Sequence, residues 1–154
     1  MRISLLAVGS MKTGPERALV DDYISRASKL ARPLGIRGVQ EIEVRDGGGT
    51  AAEAARLIDK CPEAAQIILL DEFGDTPRST DLARSLERWR DDGCSHLCFL
   101  IGGADGHGEA AKAAAGSRLA FGPQTWPHRL VRVMLAEQVY RALSILAGTP
   151  YHKA

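Results

Sequence analysis

What most constrains this chain is a rhythm in which short apolar runs alternate with segments whose apolar residues recur at helical spacing. The runs fall at residues 2–8 (RISLLAV), 38–44 (GVQEIEV), 66–70 (QIILL), 96–101 (HLCFLI) and 118–121 (RLAF). GVQEIEV alternates with period two, whereas QIILL is the most continuous apolar run of the first half, as expected of a central strand covered on both faces. Between the runs, Ala18, Leu19, Tyr23, Ala27, Leu30 and Ala31 predict a helix over residues 16–31, stopped by Pro33 and Gly35. Thr50 is expected to cap a helix reaching Lys60, with Glu53 at the capping-box position, and Ser79, Thr80 and Asp81 to cap another reaching Asp92. A long final helix is predicted over residues 130–147. The fold class that follows is α/β, a mostly parallel sheet with helices on both faces. No repeat or linker divides residues 1–154, so one domain is expected.

A chain of 154 residues that is 45% hydrophobic can bury a core without disulfides or metal. Its three cysteines, Cys61, Cys94 and Cys98, read as small core or edge residues, and no second ligand pair accompanies them, so no metal site is expected. No apolar run is long enough to span a bilayer and residues 1–12 lack the features of a secretion signal, which makes the expected location cytoplasmic. Net charge is +1, but its distribution is uneven. Residues 118–154 carry five basic side chains against the single acid Glu137, while residues 1–117 carry 15 basic and 18 acidic ones. A phosphate-receiving surface and a solvated helix face both fit that asymmetry.

The runs at residues 96–101 and 118–121 each break into a loop that no helix crosses, Gly102-Gly103 in one and residues 122–127 in the other. In an open α/β sheet such loops lie outside the carboxyl ends of the strands, where unused backbone groups can meet a ligand; they are expected to form one pocket. Other chemistries fail on the residues. Gly47, Gly48 and Gly49 lack the Gly-Lys-Ser/Thr ending of a phosphate loop. The run from Gly106 to Ala111 fits a relaxed dinucleotide fingerprint, yet it starts five residues beyond Ile101 and no acid follows at the ribose-binding distance. His96, His107, His128 and His152 show no metal spacing, and a lone loop histidine reads as a surface or hydrogen-bonding residue. Asp71 and Glu72, adjacent at a strand end, point in different directions and do not make a catalytic pair. A pocket of backbone and apolar side chains remains, with Leu70, Ile101, Trp126 and Leu130 among them, suited to an adenine-bearing ligand held by main-chain hydrogen bonds.

Four motifs in order, LLDEFG at residues 69–74, FLIGGADG at 99–106, WPHRLVRVMLAEQVYRA at 126–142 and PYHK at 150–153, resemble the bacterial ribosomal RNA large-subunit methyltransferase H family, of the SPOUT class. The match covers essentially the whole chain. The resemblance implies a C-terminal trefoil knot, an exception to the rule against knotted chains. It implies S-adenosylmethionine as methyl donor, N3 of a pseudouridine in a 23S ribosomal RNA stem-loop as acceptor, the assembled ribosome as partner and a homodimer as the active form. It places Leu70, Gly103, Gly122, Pro123, Gln124, Thr125, Trp126 and Pro127 at the donor.

A sulfonium methyl is already electrophilic, so the enzyme's chief task is to align the nitrogen with it. The imide proton must leave, and the candidate bases are Glu137, His128 and His152. Arg129, Arg132 and Arg141 are candidates for phosphate contact, and the tail offers Tyr151, His152 and Lys153 for gripping an RNA loop. Glu137 and Arg141 stand four apart on one helix, where a structural ion pair is at least as good a reading. The final helix is apolar nearly all round, more than one core needs, which calls for a second chain. Two alternatives stay open: action on transfer RNA or another ribosomal position, and a ribosome-binding module without chemistry.

Overall fold

A computed structural model describes residues 1–153. Five strands, β1 (Arg2–Val8), β2 (Val39–Val44), β3 (Gln66–Asp75), β4 (His96–Ile101) and β5 (Ser117–Leu119), alternate with five helices, α1 (Pro15–Ala31), α2 (Gly49–Asp59), α3 (Ser79–Asp91), α4 (Glu109–Ala114) and α5 (His128–Leu146). All strand pairings are parallel and the order across the sheet is β2-β1-β4-β3-β5. The α/β class and its two-sided covering follow from strand alternation. Ile3, Leu5, Leu97, Phe99, Ile101, Ile68 and Leu70 face one core with helices α1, α3 and α5, and Leu6, Val8, Leu69, Cys98 and Leu100 face the other with α2 and α4. Cys61, Cys94 and Cys98 are free thiols, the last buried in the second core.

Local expectations fail in three places, each for a physical reason. Thr50 lies inside α2, because Gly48 takes the cap position in a left-handed conformation; Glu53 does reach back, but to the Gly47 N–H at 2.8 Å. Helix α3 is capped from Arg78, whose N–H donates to the Asp81 carboxylate at 3.2 Å. Ser79 is thereby freed and donates to Gln138 on α5 at 2.7 Å. Finally, β5 is three residues long, while β3 runs on past Leu70, bulges out over Asp71–Gly74 and returns at Asp75 against the same partner, Leu119. At that crossing a Cβ on Gly74 would stand 2.7 Å from the Leu119 nitrogen, so only glycine lets the two backbones pass. The Ala120 N–H then donates to the Asp75 carbonyl at 2.8 Å.

Helix α5 packs between α1 and α3 with a stripe of Arg132, Leu135, Ala136, Val139, Tyr140 and Leu143 facing inward. Arg132 is 3% exposed. Its guanidinium donates to Glu41 at 3.1 Å, to Glu43 at 2.6 Å, to the Val8 carbonyl at 3.0 Å and to the Gly9 carbonyl. It ties the exits of β1 and β2 to the last helix. Burial alone would raise the Glu43 carboxyl, but the Arg132 hydrogen bond and the Met11 N–H outweigh it and hold Glu43 below its ordinary value. Arg132 is thus a structural cation enclosed by the fold, which corrects its expected place on an RNA-facing surface. Among the described residues no helix is long and apolar enough to cross a membrane.

Candidate functional site

The turns that leave β3, β4 and β5 meet in one cleft of about 500 Å³, within the range usual for small-molecule sites. Leu70, Ile101, Leu119 and Val131 supply apolar wall, and Asp71, Glu72, Lys112 and Arg118 a charged rim. Of the residues expected at a donor, Leu70, Gly103, Gly122, Gln124, Thr125 and Trp126 line it. Pro123 belongs to the same loop without lining the cleft, and Pro127 is the cap residue of α5. Gly103 lines the cleft with backbone alone, and a Cβ there would point away from the cleft, to within 3.0 Å of the Glu53 carboxylate and 3.2 Å of Val8.

Side chains fix the loops. The Trp126 indole N–H donates to the Phe121 carbonyl at 3.2 Å, closing residues 121–126 on themselves. Thr125 donates to Glu72 at 3.1 Å, and Arg118 donates to Asp71 at 3.4 Å, so one of the two adjacent carboxylates holds the loop after β5 and the other holds β5 itself. Phe73, at the tip of the β3 bulge, is 83% exposed at the rim.

His107 was the residue least visible in the sequence. It is partly buried, lines the cleft, and its Nε2 stands 2.7 Å from the Leu70 carbonyl. Its Nδ1 is buried with no partner. Burial pushes the ring below the ordinary histidine value, with Lys112 and Arg118 adding to that and the Leu70 bond and Asp71 opposing it. The only sequence signal was its position between Gly106 and Gly108, close after a strand end.

The three candidate bases part company. His128, at the start of α5, lines the cleft. Glu137 lies instead beside a second groove of about 340 Å³, lined also by Leu19, Tyr23, Phe121, Val133 and Met134. Its carboxylate accepts from Arg141 at 2.6 and 2.9 Å, from Gln138 at 2.7 Å and from the Tyr151 hydroxyl at 3.0 Å. His152 stands 3.5 Å from Arg141. The tail is therefore docked: Tyr151 packs on Tyr140 with ring centroids 4.5 Å apart and lies under the Arg141 guanidinium at 4.7 Å. Burial, with Tyr23 and Glu137, pushes the Tyr151 phenol upward, so it stays a hydrogen-bond donor at neutral pH. Arg129 and Lys153 project into solvent. Among the described residues, no group of three or more His, Cys, Asp or Glu could hold a metal ion.

Residues 1–152 match the family model described as "Predicted SPOUT methyltransferase". The chain belongs to the SPOUT methyltransferase family. Among its SPOUT relatives is a protein of Hyphomonas neptunium named Ribosomal RNA large subunit methyltransferase H, 61% identical over 154 residues and covering all of both chains. A Dinoroseobacter shibae protein of the same name is 53% identical, with 99% of each chain covered. A solved Legionella pneumophila methyltransferase in complex with SAM is similar at a TM-score of 0.48 and 13% identity, over 95% of this chain and 66% of that one.

Proposed function

We propose that this SPOUT protein transfers a methyl group from S-adenosylmethionine to large-subunit ribosomal RNA, at N3 of a pseudouridine in a 23S stem-loop on the assembled ribosome. The observation that carries the reading is the convergence of Leu70, Gly103, Gly122 and residues 124–126 on one cleft, matched with full-length kinship to relatives named for large-subunit ribosomal RNA. The cleft fits the donor in size, in its apolar wall for an adenine and in the backbone that Gly102 and Gly103 present to it.

When bound, S-adenosylmethionine supplies an electrophilic methyl group. The protein's own residues then have to bind, orient and accept a proton. The closed loop of residues 121–126, held by Trp126 and Thr125, fixes the shape of the cleft. His128 is the candidate base at the cleft, since Glu137 is engaged by Arg141, Gln138 and Tyr151. Arg129, at the start of α5, and Lys153 are exposed cations for phosphate, and Arg141, Tyr151 and His152 form a preformed cluster farther along the helix.

The reading includes a homodimer and a trefoil knot, working in the cytoplasm. Leu19 is 45% exposed along the groove between α1 and α5, and Leu130, one turn before Met134 on α5, is 40% exposed, an apolar surface that a second chain would cover. Strand β5 lies at the sheet edge while α5 lies between α1 and α3, so the chain returns across β3 beside its bulge; that return supports the knot.

Purified protein with labelled S-adenosylmethionine is expected to methylate assembled ribosomes in preference to naked RNA, with the label mapping by mass to one pseudouridine. Label in transfer RNA, or donor binding without transfer to any RNA, would refute the assignment.

A further inference from the structure

We infer that His107 is a positioning residue of the donor cleft that works only as a neutral ring, so that acid releases the donor through this one side chain. The inference rests on the reading of the cleft as a donor site and goes beyond it.

The geometry fixes the tautomer. A carbonyl oxygen can only accept, so the 2.7 Å contact with Leu70 places the ring hydrogen on Nε2. Nδ1 is left as a bare lone pair, buried and without a partner. A Cβ on Gly102 would stand 3.2 Å from Nδ1, so ring and backbone are packed closely there. One bond thus joins the loop after β4 to the exit of β3, two of the three turns that build the cleft.

Protonation would undo this in two ways. The new Nδ1–H would be a buried donor with no acceptor, which is costly to leave unmade. It would also put a positive charge on the wall of a cleft whose ligand is a sulfonium cation, in surroundings that screen it poorly. The groups around the ring do not cancel that charge. Asp71 on β3 favours the proton, but Arg118 on β5 already donates to Asp71, and Arg118 and Lys112 on α4 both oppose it. Glu53 on α2 lies behind Gly103 and accepts from Gly47, and Asp105 in the ring's own loop is exposed. Burial, before Lys112 and Arg118, holds the ring below the ordinary histidine value against the Leu70 bond and Asp71.

The test is titration calorimetry of the full chain with S-adenosylmethionine between about pH 8.5 and about pH 5, a span that brackets histidine titration. The unaltered protein is expected to bind evenly at the alkaline end, then to lose affinity towards a limit of about tenfold per pH unit below the ring's titration. His107→Gln can still donate to Leu70 but cannot take up a proton. It should bind at alkaline pH and show no acid loss. His128→Gln, which removes the other histidine lining the cleft, should keep the loss. Acid loss that survives in His107→Gln, or that disappears in His128→Gln, overturns the inference. A second measurement needs no substitution: long-range ¹H–¹⁵N spectra of the labelled chain should report Nδ1 as the unprotonated nitrogen at neutral pH, and the opposite tautomer would overturn the inference. Failure of the unaltered protein to bind at alkaline pH removes the donor reading and this inference together. Binding that is indifferent to pH removes this inference alone.

Discussion

Replacing Arg132 by methionine keeps the bulk of the side chain and deletes its charge and its donors. The guanidinium serves two carboxylates, Glu41 and Glu43, and two carbonyls, Val8 and Gly9, from a position only 3% exposed. Removing one partner of a buried ionic cluster costs about 3–5 kcal/mol, because the groups left behind have lost their compensation. Two features keep the loss within that range: Glu41 retains Arg17, and Glu43 can take up water through its 31% exposure. For a chain of 154 residues, where each kcal/mol moves the melting temperature by roughly 2–4 °C, the expected drop is about 6–20 °C. Differential scanning calorimetry and urea unfolding measure it. Acid behaviour supplies a second readout. Glu43 is held below its ordinary value, so its contribution is present above the unfolded carboxyl's titration and is lost as pH falls through the folded one. In the variant that acid-side loss should shrink. A variant that melts within a degree of the unaltered protein yet no longer methylates ribosomes would refute the reasoning and return Arg132 to the RNA surface.

Gly74→Ala should lower stability by about 1–3 kcal/mol in denaturant unfolding and weaken donor binding with it, since its Cβ would press on the backbone at Leu119; an unaffected cleft would mean the crossing can relax. Tyr151→Phe keeps the stack on Tyr140 and loses one hydrogen bond to Glu137, so a thermal melt should show a loss of about 0.5–1.5 kcal/mol, and a much larger loss would mean the hydroxyl holds the whole tail. Paired substitutions Leu130→Glu and Met134→Glu, one turn apart on α5 with Met134 lining the groove, should leave the far-ultraviolet dichroism intact and give a monomer mass near 16.6 kDa by light scattering; a dimer that survives them uses another face.

The strands were legible because their apolar alternation is a direct imprint of two-sided burial, and the cleft because glycine and proline after Ile101 and Phe121 forbid helix. What escaped lies in contacts between residues far apart in the chain. Arg132 looks like any basic residue on a helix, and nothing near it announces that Glu41 and Glu43 wait on β2. His107 looks like a loop histidine until β3 brings Leu70 beneath it. The tail read as a grip for RNA, and nothing in its residues announced that Tyr140 and Glu137 on α5 give Tyr151 a seat. The cap at Thr50 failed for the opposite reason, a local one: Gly48 can take the left-handed turn that starts α2 without any side chain.

The bond from Arg132 to the Val8 carbonyl spans 124 positions. A nascent chain leaving the ribosomal exit tunnel therefore extrudes its first strand long before the cation that anchors it, and while Glu41 meets Arg17 early, Glu43 waits all that time for Arg132. The fold can close only once α5 has been made, which leaves little room for a stable half-made product.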